Sequence, residues 1–110
     1  MIRLFATMLS SNAAKLLKST REQAWVGDAV LALHVRRFIL DKLGKMDGEM
    51  ATRMTSNQFL SGRGNPTEVE AKIGRIYERE GYDSAVAWIE AELLPLYERQ
   101  EKKRRRNISR

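Results

Sequence analysis

An all-helical domain is the fold class this sequence predicts, and three observations lead there. Apolar residues recur at three- and four-residue spacing, strand-like alternation is missing, and only 7 Gly and 2 Pro interrupt the 110 residues. A chain of this length with 43% hydrophobic residues supports one domain with a modest core and often gains from oligomerising.

Taken in order, a first helix is expected from about Ile2 to Lys18. Its opening apolar run, Met1 to Leu9, is soon interrupted by polar and basic residues. No segment approaches the roughly 20 apolar residues of a membrane span. Ser19-Thr20, with Gln23 three residues after Thr20, forms a capping-box pattern for a second helix reaching about Leu43. That helix carries Ala24, Trp25, Val26, Ala29, Val30, Leu31, Leu33, Val35, Phe38, Ile39 and Leu40. It is apolar all round, as expected of the central and most buried element. Gly44 closes it, Asp47-Gly48 makes a turn, and a third helix carries Met50, Met54, Phe59 and Leu60 to Gly62-Arg63-Gly64. Asn65 as N-cap and Pro66 at the first helical position start a fourth helix, ending at Gly81. Asp83-Ser84 is expected to cap a fifth, and Pro95 introduces a kink or a restart. The helical domain is read as residues 1–97 and a basic C-terminal tail as residues 98–110.

Charge is placed unevenly. Lys102, Lys103, Arg104, Arg105, Arg106 and Arg110 supply six of the 20 basic residues, so residues 1–101 are formally neutral and the net +6 belongs to the C-terminus. Such a run binds phosphates through counterion release without reading sequence, or else is simply a solvated tail. Cysteine is absent, which rules out a disulfide framework and a thiolate zinc site and is compatible with a reducing compartment. The expected location is cytoplasmic, away from membranes.

Two acids carry the chemistry. Asp28 stands in Gln23-Ala24-Trp25-Val26-Gly27-Asp28-Ala29-Val30-Leu31, where nearly every other residue suits a core; an ionised acid buried there needs a cation or hydrogen bonds to compensate it. By helical periodicity Asp28 shares a face with Ala24, Leu31 and Val35, and Glu70 shares one with Pro66, Thr67, Gly74 and Tyr77. Small residues beside both, Gly27 with Ala24 and Gly74, let two helices cross closely. The carboxylates could then converge on a hard cation such as Mg²⁺, suited to phosphodiester hydrolysis. The plainer alternative pairs Asp28 with an arginine and leaves Glu70 as an N-terminal helix acid.

The stretch at 23–31 resembles the signature of ribonuclease III domains, and Val-Glu-Ala-Lys-Ile-Gly-Arg-Ile-Tyr at 69–77 resembles their second acidic motif. Order and spacing through Gly81-Tyr82-Asp83 and Ala87-Trp88-Ile89 are similar as well, so the resemblance covers roughly residues 20–94. It implies an all-helical, homodimeric endoribonuclease that cleaves double-stranded or structured RNA with Mg²⁺, for which Mn²⁺ can substitute, leaving 5′-phosphate and 3′-hydroxyl ends. Asp28 matches the signature aspartate and Glu70 the essential glutamate, as catalytic and metal-binding residues. Asp47 matches a further family acid that supports the metal. The family's usual acids four residues before the aspartate and three before the glutamate are Ala24 and Thr67 here, a pattern similar to the Mini-III subfamily, which lacks a double-stranded RNA-binding domain. These two losses also leave a second reading open: a catalytically inactive ribonuclease III-like protein that binds RNA or associates with the ribosome.

Arg53, Arg63 in the Gly62-Arg63-Gly64-Asn65 loop, and the run Lys102, Lys103, Arg104, Arg105, Arg106 are the expected RNA contacts. RNA would be recognised by shape and backbone rather than by sequence. His34, the single histidine, is expected to be structural or exposed; Trp25 and Trp88 are core or dimer-interface anchors, and the five Met residues fill the core.

Overall fold

The computed structural model of the protein describes residues 19–109, and among these every regular element is helical. The elements are α1 (Thr20–Leu43), α2 (Gly48–Thr55), α3 (Asn57–Leu60), α4 (Pro66–Glu80), α5 (Tyr82–Glu92) and α6 (Leu94–Ser109). The helix expected over Ile2 to Lys18 lies outside the described residues. No helix among the described residues is long and apolar enough to cross a membrane.

Helix boundaries follow local chemistry, with shifts from the sequence reading. Ser19, not Thr20, is the N-cap of α1, its side chain accepting from the Glu22 N–H at 3.1 Å. Gly44 stops α1 in the left-handed region at φ 70°, its N–H donating to the Leu40 carbonyl. The expected third helix is two: Ser56 in extended backbone ends α2 and caps α3, accepting from the Phe59 N–H at 3.1 Å. Asn65 and Pro66 open α4 as expected. Asp83 and Ser84 do not cap α5. Gly81, at φ 95°, turns the chain directly into Tyr82 with no side-chain cap, so both polar residues fall inside the first turn. Pro95 marks a restart, because α5 ends at Glu92 and α6 begins at Leu94.

The basic C-terminus is helical. Helix α6 runs unbroken from Leu94 to Ser109, with no boundary at residue 97. Buried Leu93, Leu96 and Tyr97 anchor its start, and Tyr97 meets Phe59 edge-to-face at 6.0 Å. Farther along, Glu101 takes an ion pair from Arg53 of α2 at 3.3 Å.

The core gathers Leu31, Val35 and Ile39 of α1 with Leu60, Ile73, Ala85 and Ile89. Helix α1 makes its main contact with α4 and also packs on α2 and α5. It is central but not buried all round. Trp25 is 80% exposed, and Leu33, Leu40 and Leu43 stand open as well. At helical periodicity these four fall within one narrow arc of α1. Trp25 is therefore no core anchor, and α1 keeps an apolar stripe that no other element among the described residues covers.

The α1–α4 crossing depends on two glycines. A Cβ on Gly27 would fall on the Glu70 carbonyl oxygen and within 2.8 Å of the Gly74 nitrogen. One on Gly74 would fall on the Gln23 carbonyl oxygen. Because the obstruction is backbone on both sides, no side-chain rearrangement relieves it. Gly27→Ala or Gly74→Ala is expected to cost at least about 3 kcal/mol or prevent folding, beyond ordinary overpacking. Gly48→Ala, in open space, should be nearly neutral; equal urea midpoints for all three variants would refute the close crossing.

Candidate active site: a carboxylate pair at the helix crossing

Gln23 and Gly27 lie four residues apart on α1, as do Glu70 and Gly74 on α4, and each glycine sits on the carbonyl of the other helix's polar residue. The helices thus run antiparallel through the contact, with residue 23 opposite 74 and 27 opposite 70. Arg75 fixes the same crossing from the side, its Nη1 donating to Gln23 Oε1 at 2.7 Å. This clasp brings Asp28, next to Gly27, into hydrogen-bonding reach of Glu70.

Burial is distributed differently from the sequence expectation. Asp28 is exposed, because the α1 face beside Trp25 is uncovered; the buried neighbour is Gly27. Glu70 is the half-buried member. Its pKa is pushed up to about 7, first by burial, then by the hydrogen bond to Asp28 and by that residue's negative charge. Near neutral pH Glu70 therefore carries a proton for much of the time, within hydrogen-bonding reach of Asp28. Two oxygen-donor carboxylates this close repel when both ionised. A hard divalent cation would relieve that repulsion as a proton does. The donor set therefore suits Mg²⁺, which is commonly held by one or two carboxylates with waters and substrate phosphates completing the shell.

The other expected site residues lie elsewhere. Asp47 does not join the pair: it is the N-cap of α2, its Oδ1 accepting from the Met50 N–H at 3.0 Å. It lines a groove with Val35, Arg36, Ile39 and Leu40, about two to three turns along α1 from Asp28. The reason is the Gly44 stop, which turns the chain back over the C-terminal half of α1. Among the described residues no group of three or more His, Asp or Glu side chains gathers as a metal site. Ala24 is buried in the core-facing side of α1, while Thr67 is exposed one turn before Glu70. Arg53 is held by Glu101, and Arg63 lies 3.6 Å from Glu92 and over the Trp88 ring at 5.6 Å. Both arginines are thus engaged by α5 and α6. His34 is half-buried against Phe38 in a groove shared with α5, its pKa lowered by burial against an opposing Glu90. Sequence reasoning missed Arg75; the signal available was Gln23 one helical turn before Gly27, a polar residue on the crossing face that needed a partner.

The raised Glu70 pKa has a consequence for stability. Unfolded, Glu70 titrates near 4.5; folded, near 7. The folded state holds the extra proton in between, so this contribution is full below about pH 4.5 and is lost as pH rises through 7. Glu70→Gln removes the titration. It should stabilise the metal-free protein at pH 8 by on the order of 1 kcal/mol, given the solvent screening of a half-exposed pair, and remove the fall in stability between about pH 5 and 8 that Glu70 causes, leaving the opposite, rising contribution of half-buried His34. Thermal melts showing wild type and Glu70→Gln changing in parallel over that range would show that the carboxylates do not interact.

No family model, no curated protein and no solved structure matches this chain.

Proposed function

We propose that the protein is a Mg²⁺-dependent endoribonuclease of the ribonuclease III type, acting in the cytoplasm on double-stranded or structured RNA. The observation that carries this reading is the convergence of Asp28 and Glu70, from the two stretches that resemble that family's acidic motifs, at a crossing built from Gly27 and Gly74.

Asp28 and Glu70 would hold the ion, which when bound supplies positive charge to a phosphoryl oxygen and lowers the pKa of water. The chain's own residues do the rest. Glu70 gives up its proton as the ion binds, so occupancy rises with pH through about 7. The close helix contact fixes the separation of the two carboxyls. Asp28, being exposed, leaves the pair open to a bulky backbone, and exposed Thr67 offers a hydroxyl at the same rim. A duplex backbone can reach such a site without unstacking a base.

The reading includes a homodimer. Its support is the uncovered stripe of Trp25, Leu33, Leu40 and Leu43 on α1, which borders Asp28. Paired across a twofold axis, it would set two acid pairs facing the two strands of one duplex. Trp25→Glu with Leu33→Glu should give a folded monomer in sedimentation equilibrium; wild type that stays monomeric at high concentration would remove the dimer from the proposal.

The second reading, an inactive RNA-binding or ribosome-associated protein, is favoured by one observation. The pair has no third carboxylate beside it among the described residues, with Ala24 and Thr67 at the candidate positions and Asp47 engaged as a cap. Incubation with a long RNA duplex separates the two. Cleavage is expected in Mg²⁺ and not in chelator, and Asp28→Asn or Glu70→Gln should lower the rate roughly 100-fold or more, as for loss of several kcal/mol of charge stabilisation. Cleavage surviving in both variants would reject the site, and binding with no cleavage by wild type would establish the inactive reading.

A further inference from the structure

We infer that a second, metal-independent site lies at the far end of α1: a cleft between α2 and α6 that binds the phosphate backbone of a nucleic acid. The cleft has a volume of about 550 Å³ and is lined by Lys42, Arg53, Arg99, Lys102, Arg104 and Arg105. Its acids, Glu98 and Glu101, leave an excess of four positive charges in a concave surface, where field is focused and anions are concentrated. Glu101 is itself occupied. Its carboxylate pairs with Arg53 at 3.3 Å and with Arg104 at 3.8 Å, which docks α6 on α2 and holds the walls of the cleft together.

The ligand is a polymer rather than a single phosphate. Along α6 alone, Arg99 to Arg105 extend about 9 Å, and Lys42 and Arg53 widen the cationic surface onto two other helices. Among the described residues the only aromatic side chain lining the cleft is buried Tyr97, so stacking on unpaired bases is not what it offers. Contact to backbone phosphates by Arg and Lys is. Lys42 also lies fourteen residues beyond Asp28 on α1. Four turns of helix place the two about 21 Å apart along the axis and within about 40° around it. One extended backbone can then touch the acid pair at one end of α1 and the cleft at the other. As to ligand class the inference rests on the proposed action on RNA, but the cleft needs no metal and no cleavage.

Cleft residues and other basic residues of α6 can be tested against each other, because Lys103 and Arg106 carry the same charge on the same helix but do not line the cleft. Binding of a labelled RNA duplex in chelator, titrated with salt, is the measurement. Arg99→Glu with Lys102→Glu should weaken binding at least tenfold at moderate salt and reduce the slope of log affinity against log salt by about 2, for two lost phosphate contacts. Lys103→Glu with Arg106→Glu makes the same change in net charge and should cost several-fold less. Circular dichroism checks the helix, and Arg99→Gln with Lys102→Gln gives a milder version. Equal losses from the two pairs would overturn the cleft, as would no loss from either, or a loss seen with anionic lipid vesicles and not with RNA. A wild type that binds through the cleft yet never cuts upholds this inference and ends the nuclease proposal; cutting and binding both untouched by the cleft substitutions do the reverse.

Discussion

Backbone-to-backbone contact between α1 and α4, possible only where Gly27 and Gly74 lack side chains, is the constraint on which the rest of the structure depends. Helices normally pack with their axes 8–10 Å apart because side chains fill the seam. Here the glycines remove that filler, and the Gln23 and Glu70 carbonyls take its place. The two helices gain register as well as proximity, since a slide of one residue would drive a Cβ into a carbonyl. Register is what sets Asp28 against Glu70, so the electrostatics of the pair follow from packing.

Strain at the pair and cohesion of the core are therefore linked. Burial of Leu31, Val35, Ile39 and Ile73 holds α1 and α4 together, and that same union forces a half-buried glutamate against a second acid. The fold tolerates this by keeping a proton on the pair, raising Glu70 to about 7. Placement at the rim matters too. Had Asp28 been enclosed, as its apolar neighbours suggest, the cost would fall on two desolvated charges rather than one.

Much of this was legible in the sequence, for reasons that differ between elements. The α1 and α4 boundaries could be read because Gly44, Asn65-Pro66 and Gly81 act locally. The meeting of Asp28 and Glu70 could be read because Gly27 and Gly74 advertise a close crossing. What could not be read depended on how faces are used. An apolar helix does not declare which of its sides will be left open, so the exposure of Trp25 and Asp28 was hidden. Asp47 has the same sequence as a ligand or as a cap; only the path of the chain after Gly44 assigns it to Met50. The basic C-terminus reads as a loose tail by composition, whereas its helicity comes from Leu93, Leu96 and Tyr97 fixing the first turns and Glu101 fastening the middle.

That last feature changes what the cations on α6 can recognise. A flexible polycation adapts to any anion and loses chain entropy each time it does so. A docked rod has already lost that freedom in folding, and its charges keep fixed intervals. It cannot wrap. Such an element sorts its ligands by stiffness and curvature: a polyanion whose charges already lie along a matching contour binds without rearrangement, while a compact or coiled one meets only part of the array.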